Sequence, residues 1–216
     1  DMGFNEEQLV FFDGSIRNFA NREEGRKSLE LFSTNVKKHS FVSSFSASGA
    51  VPTDWSGSFT FVRPQGWEGD PMRMRYVFVD DDFFNTLDIP IVEGRGFMNE
   101  NETDMTSSVI LNEAALKAFN FKDTVTNPVI KIGRSSYNVV GVAGDFNFES
   151  LRNEVEPTLH FFRETNHRAH NYFSIRIKGD DTRNAINTLE EEWNKLGAIH
   201  PLSYSFADDS VAQLYT

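Results

Sequence analysis

Cysteine is absent from the 216-residue chain, which removes disulfides, thiol nucleophiles and thiolate metal ligands together. That absence leaves the compartment open, because a chain of this length buries roughly 70% of its unfolded surface and needs no cross-links. No apolar stretch in it approaches the roughly 20 residues that cross a bilayer. Cations are also scarce: 21 Lys plus Arg stand against 32 Asp plus Glu, a formal charge of −11. Nucleic-acid affinity rests on cations meeting phosphates, so nucleic acid is excluded as an expected partner. The same negative field repels anionic headgroups, and the body of the chain is not expected to lie on a membrane.

Motifs for bond chemistry are missing as well. No G-x-S-x-G elbow is present, and Ser46-Ala47-Ser48-Gly49 reads as a strand running into a proline turn. Gly141-Val142-Ala143-Gly144 lacks the third glycine of a dinucleotide turn and the Lys-Ser/Thr of a P-loop. Asp80-Asp81-Asp82 lacks the spacing, turn glycine and closing glutamate of a calcium loop, and reads as acidic N-cap residues of a short helix, Asp82 to Leu87. Asn99 to Asp104, "NENETD", lacks the same two residues and reads as a solvated loop. His160, His167 and His170 form the best histidine group. His167 and His170 fall in the polar segment "RETNHRAHN", without a third ligand on an ordered element or an adjacent glutamate base, so no metal is expected. His39 and His200 stand at a helix end and a strand start, positions that face water or cap carbonyls. Glu93 and Arg95 flank Gly94 as a turn-spanning ion pair worth about 0 to 1 kcal/mol in solvent. The expected catalytic, cofactor and metal residues are therefore none.

What the chain does have is apolar material for packing: 39% hydrophobic residues and 21 phenylalanines against 25% charged residues. That balance belongs to globular domains, and phenylalanine in such number favours sheet faces and sheet–helix interfaces. Leu9 to Phe12 reads as a strand. Asn21 with Glu24 forms a capping-type pair ahead of a helical stripe of Leu29, Phe32 and Val36, ending near Lys37-Lys38; a strand from Phe41 to Phe45 closes a β-α-β unit. The pattern recurs near the other end. Tyr172 to Lys178 alternates, a helix starts at Asp181/Thr182 with a stripe of Ile186, Leu189, Trp193 and Leu196, and Gly197 precedes a strand from Leu202 to Phe206. Between these units lie short strands broken at Pro52, Pro64-Gln65-Gly66, Gly94-Arg95-Gly96 and Gly133-Arg134, with a second brief helix at Asn112 to Phe119. The expected fold class is α+β, with a mostly β module inserted at 55–152 between the halves, 1–54 and 153–216, of a discontinuous α/β module. Phe59 and Phe61 predict a strand face directed into the core. Trp55 and Trp67 lie nearer the turns, and would be contact anchors if exposed.

One ordered series runs through Val79-Asp80, Asp82-Phe83-Phe84, Leu87, Glu93-Gly94-Arg95, Phe97, Asn112-Glu113-Ala114, Val139-Val140-Gly141-Val142 and Asp145-Phe146-Asn147-Phe148. It resembles the extracytoplasmic core domain of MacB/FtsX-type ABC-transporter permeases. The resemblance implies a porter-like module of two β-α-β units split by a sabre-like β module, and it makes Asp145 a structural position hydrogen-bonded to backbone amides. It also implies a non-catalytic domain on the periplasmic or extracytoplasmic side, held to the cell membrane and relaying cytoplasmic ATP hydrolysis as movement outside it. The implied partners are the ABC ATPase subunit through flanking membrane helices, a second permease copy, and a periplasmic adaptor, lipoprotein or peptide. Apolar spans of roughly 20 residues are then expected beyond Asp1 and Thr216, and stiff junctions at Ala50 to Trp55 and Leu151 to Pro157. The alternative from another class is a small soluble hydrolase or ligand-binding enzyme, which requires the acidic and histidine clusters to converge in one cleft.

Overall fold

The structure, a computed structural model, describes residues 2–55, 58–121, 128–148, 154–165 and 170–214. Its first helix forms where the capping pair lies. In α1 (Arg22–Val36) the Asn21 carbonyl oxygen accepts from the Glu24 N–H at 2.9 Å, and the Asn21 amide donates back to the Glu24 carboxylate at 3.2 Å. This reciprocal box satisfies an otherwise orphaned donor at the helix start. Asn21→Ala is expected to lower stability by about 1 kcal/mol, as read from the midpoint of urea unfolding; an unchanged midpoint would show that the box contributes nothing.

The strands β1 (Leu9–Asp13) and β2 (Val42–Ser48) flank α1, and β10 (Tyr172–Ile177) and β11 (Tyr204–Phe206) flank α5 (Thr182–Asn194). Both β-α-β units exist, but neither has its two strands side by side. The order β11-β1-β10-β2 interleaves them, every neighbour antiparallel, so each unit holds one strand of the other between its own two. Alternation then sorts the side chains. Val10, Phe12, Phe45, Ala47, Phe173, Ile175 and Ile177 face α1 and α5. Trp193 is fully buried there, edge-on to Phe32 with its indole N–H on the His200 carbonyl at 2.9 Å.

The middle of the chain builds β3 (Ser58–Pro64), β4 (Met72–Val79), β5 (Ile91–Gly94), β6 (Ser108–Asn112), β7 (Val129–Ile132), β8 (Ser135–Ala143) and β9 (Thr158–Phe162). The path β4-β3-β7-β8-β6-β9 returns to β4 through a parallel β9–β4 pairing, so six strands close into a small barrel. Closure removes free edges. Val62, Met74, Val109, Leu111, Ile130, Leu159 and Phe161 fill one core cluster with Phe119 from α4 (Glu113–Phe119). Strand β3 therefore turns Val62 inward and Phe59 and Phe61 outward, the reverse of the expected core face. The expected loop at Asn99 to Asp104 contributes instead to a helix, α3 (Glu102–Ser107), capped by the Asn101 side chain on the Thr103 N–H.

The third core cluster joins the two halves: Leu9 and Phe11 of β1 meet Val77, Val79, Ile110, Phe146 and Phe162 around α2 (Phe83–Leu87). Among the described residues, direct strand pairing between the interleaved sheet and the barrel is one residue pair, Ser48 opposite Val79. The chain ends with α6 (Ala207–Gln213), whose Ala207 lies in this same cluster.

Candidate functional site

The seam between the interleaved sheet and the barrel concentrates the buried polar groups. Helix α2 leaves the end of β4 and lies on the rear face of β2 and β10, which carries the fully buried Ser46, Ser48 and Ser174. Small residues at alternating positions let a helix approach a sheet closely. The middle of the contact is imperfectly satisfied, since the hydroxyls of Ser46, Ser174 and Thr86 are buried without a hydrogen-bond partner.

Around that middle sit polar clamps. Asp80, fully buried, accepts from the Ala47 N–H at 2.8 Å and from the Thr165 hydroxyl at 3.0 Å, tying β2 to the segment after β9. Its other oxygen has no partner. Burial pushes the carboxyl up to about 7, against the lowering effect of the Ala47 and Thr165 hydrogen bonds. Asp82 stands at the N-cap of α2 but its side chain makes no capping bond, so the acidic triplet is a buried lock at Asp80 rather than a cap. Arg176 on β10 donates to the carbonyls of Thr86, Glu7 and Asn5.

Those last two carbonyls belong to the N-terminal segment, which lies across the seam as a strap. Met2 and Phe4 are buried in the shared core. The Met2 carbonyl accepts from Asn147 N–H at 2.9 Å on the barrel side, and Asn5 N–H donates to the Leu87 carbonyl at the end of α2 at 3.0 Å. Gly3 makes this possible. Its φ is +81°, and a Cβ there would stand 2.1 Å from the Asp145 carbonyl oxygen.

Other expected residues are scattered. Arg95 does not pair with Glu93; it forms a two-pronged bond to Asp104 at 2.7 and 2.9 Å, and Asp104 also accepts from Met98 N–H and the Ser108 hydroxyl. Burial raises the Asp104 carboxyl, yet these donors outweigh it and hold it below its ordinary value. Asp145 accepts from Ala114 N–H at 2.9 Å, the expected backbone bond, while burial keeps its pKa raised. His160 is fully buried among Phe83, Phe84 and Phe146, one ring nitrogen 3.2 Å from the Ile110 carbonyl, and burial lowers its pKa to about 4. His170 bonds the Thr165 carbonyl at 3.0 Å, and His167 lies outside the described residues. Trp55 is half-buried, edge-on to Phe148, whereas Trp67 is exposed. No group of three metal-capable side chains occurs among the described residues.

A cleft of about 520 Å³ lies at the outer end of β1, β10 and β11, lined by Asp13, Asp54, Tyr172 and Tyr204 among others. Its carboxylates are already engaged, Asp54 by the Tyr172 hydroxyl at 2.7 Å and Asp13 by Ser15 N–H at 2.9 Å. The hydrolase alternative finds no support, since the buried histidines and acids do not converge in this cleft.

Residues 15–189 match the pattern of the MacB-like periplasmic core domain. The chain belongs to that family. Its fold is similar to the periplasmic region of MacB from Actinobacillus actinomycetemcomitans, with a TM-score of 0.66 at 13% identity over 99% of this chain and 95% of the other. It is also similar to the extracellular domain of the noncanonic ABC-type transporter YknZ from Gram-positive bacteria, with a TM-score of 0.58 at 12% identity over 91% of this chain and 98% of that one. No curated protein matches the sequence. The chain is thus a periplasmic domain of a MacB-like ABC-transporter permease, with the mixed α+β fold of the MacB periplasmic region, in a family of transporter domains rather than a known enzyme class. Transporters of this kind work with ATPase subunits. Among the described residues no helix is long and apolar enough to cross a membrane.

Sequence reasoning missed Gly3, Arg176 and the lock at Asp80. Arg176 had a signal: it is a cation in a strand of otherwise uncharged residues, "YFSIRI". Gly3 had none, because its partner is 142 residues further along the chain.

Proposed function

We propose that this domain is the non-catalytic extracytoplasmic lever of its permease, converting displacement of membrane helices, driven by a cytoplasmic ATPase, into movement outside the membrane. The lever's two bodies, porter-like and sabre-like, follow the partition into 1–54 with 153–216 and 55–152, with β9 (Thr158–Phe162) counted in the sabre-like body because it completes the barrel. A second permease copy and a periplasmic adaptor, lipoprotein or peptide complete the assembly. The carrying observation is the strap: one short N-terminal segment bonds to β10, to α2 and to the barrel side of the seam at once. A pull on it acts on both bodies. The β1–β11 register supports the same reading, because Val10 lies opposite Phe206, so the chain enters β1 and leaves β11 at one end of the pair.

The junction at Ala50 to Trp55 is no place to test this by adding slack, since Ala50, Val51 and Pro52 are buried. Slack belongs ahead of the strap. With about five glycines inserted between Asp1 and Met2 of the full transporter, the domain should fold and basal ATP hydrolysis should persist, while transport falls about tenfold or more. Undiminished transport in intact cells would overturn the lever and leave a passive binding platform.

A further inference from the structure

The outer wall of the barrel across β4, β3 and β7 carries a pattern that folding does not require. Phe59 and Phe61 project outward at 38% and 61% exposure, and Trp67 in the turn after β3 is 43% exposed. The cross-strand neighbours of the two phenylalanines are cations, and a further pair of cations follows on the same face. Arg75 stands opposite Phe59, Arg73 opposite Phe61, and Lys131 opposite Arg63. The Arg73 guanidinium lies 3.5 Å from the centre of the Phe59 ring. Arg75 is held by both oxygens of Glu156 at 2.7 and 2.9 Å. Arg63, Arg73 and Lys131 form no ion pair with a described residue. The face continues over β8 with exposed, uncharged Ser136 and Asn138. Acidic residues at its margin, Glu68 and Asp70, lie in the β3–β4 turn.

Single exposed apolar residues are ordinary on a protein surface, but two phenylalanines on one strand face beside unpaired cations, with an exposed tryptophan in the turn that follows, are not. The chain as a whole carries the opposite sign, a net −11. Aromatic and arginine side chains are the types enriched at the cores of protein interfaces and among their hot spots. We propose that this wall docks an acidic polypeptide, a partner segment that sets carboxylates on Arg63, Arg73 and Lys131 and apolar side chains on Phe59, Phe61 and Trp67. Cation–π contact already holds Arg73 over Phe59, so the surface is partly ordered before a partner arrives.

Two other occupants fit less well. A second copy meeting the same face would bring cation against cation, as a two-fold interface demands. A lipid surface conflicts with the position of the wall, an argument that rests on the lever reading: β1 and β2 run the same way from the end where the chain enters, β4 meets β2 at the far end, Ser48 opposite Val79, and from Val79 it runs on past that end to Arg73, on the order of 20 Å further.

The test uses the full chain and a labelled amphipathic helical peptide of about 18 residues, glutamate on one face and leucine on the other, followed by fluorescence anisotropy. The glutamate peptide should bind, more weakly at high salt, while its lysine counterpart should not. A double variant, Arg63→Glu with Arg73→Glu, should weaken binding about tenfold or more with an unchanged melting temperature, and Phe61→Ser should do so without changing charge. Equal binding of both peptides, undiminished binding by the variants, or no binding of the glutamate peptide would overturn the proposal. So would binding of phosphatidylglycerol vesicles in its place, or self-association of the chain that the double variant abolishes. The assay needs neither transporter nor ATP, so its outcome is independent of the glycine-insertion result.

Discussion

Gly3→Val is expected to destabilise the domain by about 4 kcal/mol and to free its N-terminal strap from the seam. Two effects add. A β-branched residue is strained at φ +81°, and its Cβ would stand 2.1 Å from the Asp145 carbonyl oxygen and 2.8 Å from the Phe146 Cα. Backbone atoms cannot swing aside as a flexible side chain would, so the strap must leave. With it go the buried side chains of Met2 and Phe4, each worth about 1.5 to 3 kcal/mol of burial. Urea unfolding measures the loss, and hydrogen exchange locates it: the amides of Asn5 and Asn147, which bond to Leu87 and Met2 carbonyls, should lose protection first. Phe4→Ala, which leaves the backbone unstrained, should cost about 3 kcal/mol through the lost burial and the cavity it leaves. If Gly3→Val unfolds at the wild-type midpoint, the strap is not packed as described and the lever loses its coupling element.

The second large effect is on the dependence of stability on pH. Asp80 titrates near 7 in the folded chain against an ordinary 3.8, because burial outweighs its hydrogen bonds to Ala47 and Thr165, with Asp81 raising it and Lys37 lowering it further. Between those values the folded chain holds a proton that the unfolded chain has lost, so stability falls as pH rises through the window, by about 4 kcal/mol in all. His160 acts in the opposite sense. Its pKa falls from 6.5 to about 4 on burial, so the unfolded chain takes up the proton first and stability falls as pH drops through that window, by about 3 kcal/mol. The two slopes largely cancel in the wild type. Asp80→Asn keeps an acceptor for Ala47 and Thr165 but cannot ionise. It should therefore be the more stable protein at pH about 8, and should show the uncovered His160 slope on acidification. Urea midpoints across pH about 4.5 to 8 decide the matter. Parallel profiles for the two proteins would mean that Asp80 is ionised at an ordinary pKa and is not the buried lock described here.

Much of the local architecture was legible because its causes are local. The Asn21–Glu24 box, the Asp181 cap on Asn184 and the stripe of Ile186, Leu189 and Trp193 are contacts within one or two turns, and each appears where the spacing requires. Asn112 likewise starts its brief helix, capping Ala115 N–H at 2.9 Å. The misread elements share a different cause. "NENETD" looked solvated because the partner that stabilises its buried Asp104, Arg95, sits beyond a turn and was assigned to Glu93. Phe59 and Phe61 alternate as a core face does, but alternation alone does not say which face a barrel turns inward.

The sequence by itself determined the α+β class, the two β-α-β units bracketing a mostly β middle, and, through an ordered series from Val79 to Phe148, the family. Those follow from periodicity, capping and motif order, all of which are written along the chain. Only the tertiary structure decided that the two units interleave, that β9 pairs with β4 to close the barrel, and that the N-terminal segment straps the seam. Such facts depend on contacts between residues far apart in sequence, where Gly3 meets Asp145 and Arg176 meets Asn5. Their energies come from burial and packing complementarity, which a pattern of residue types does not specify until the chain has closed on itself.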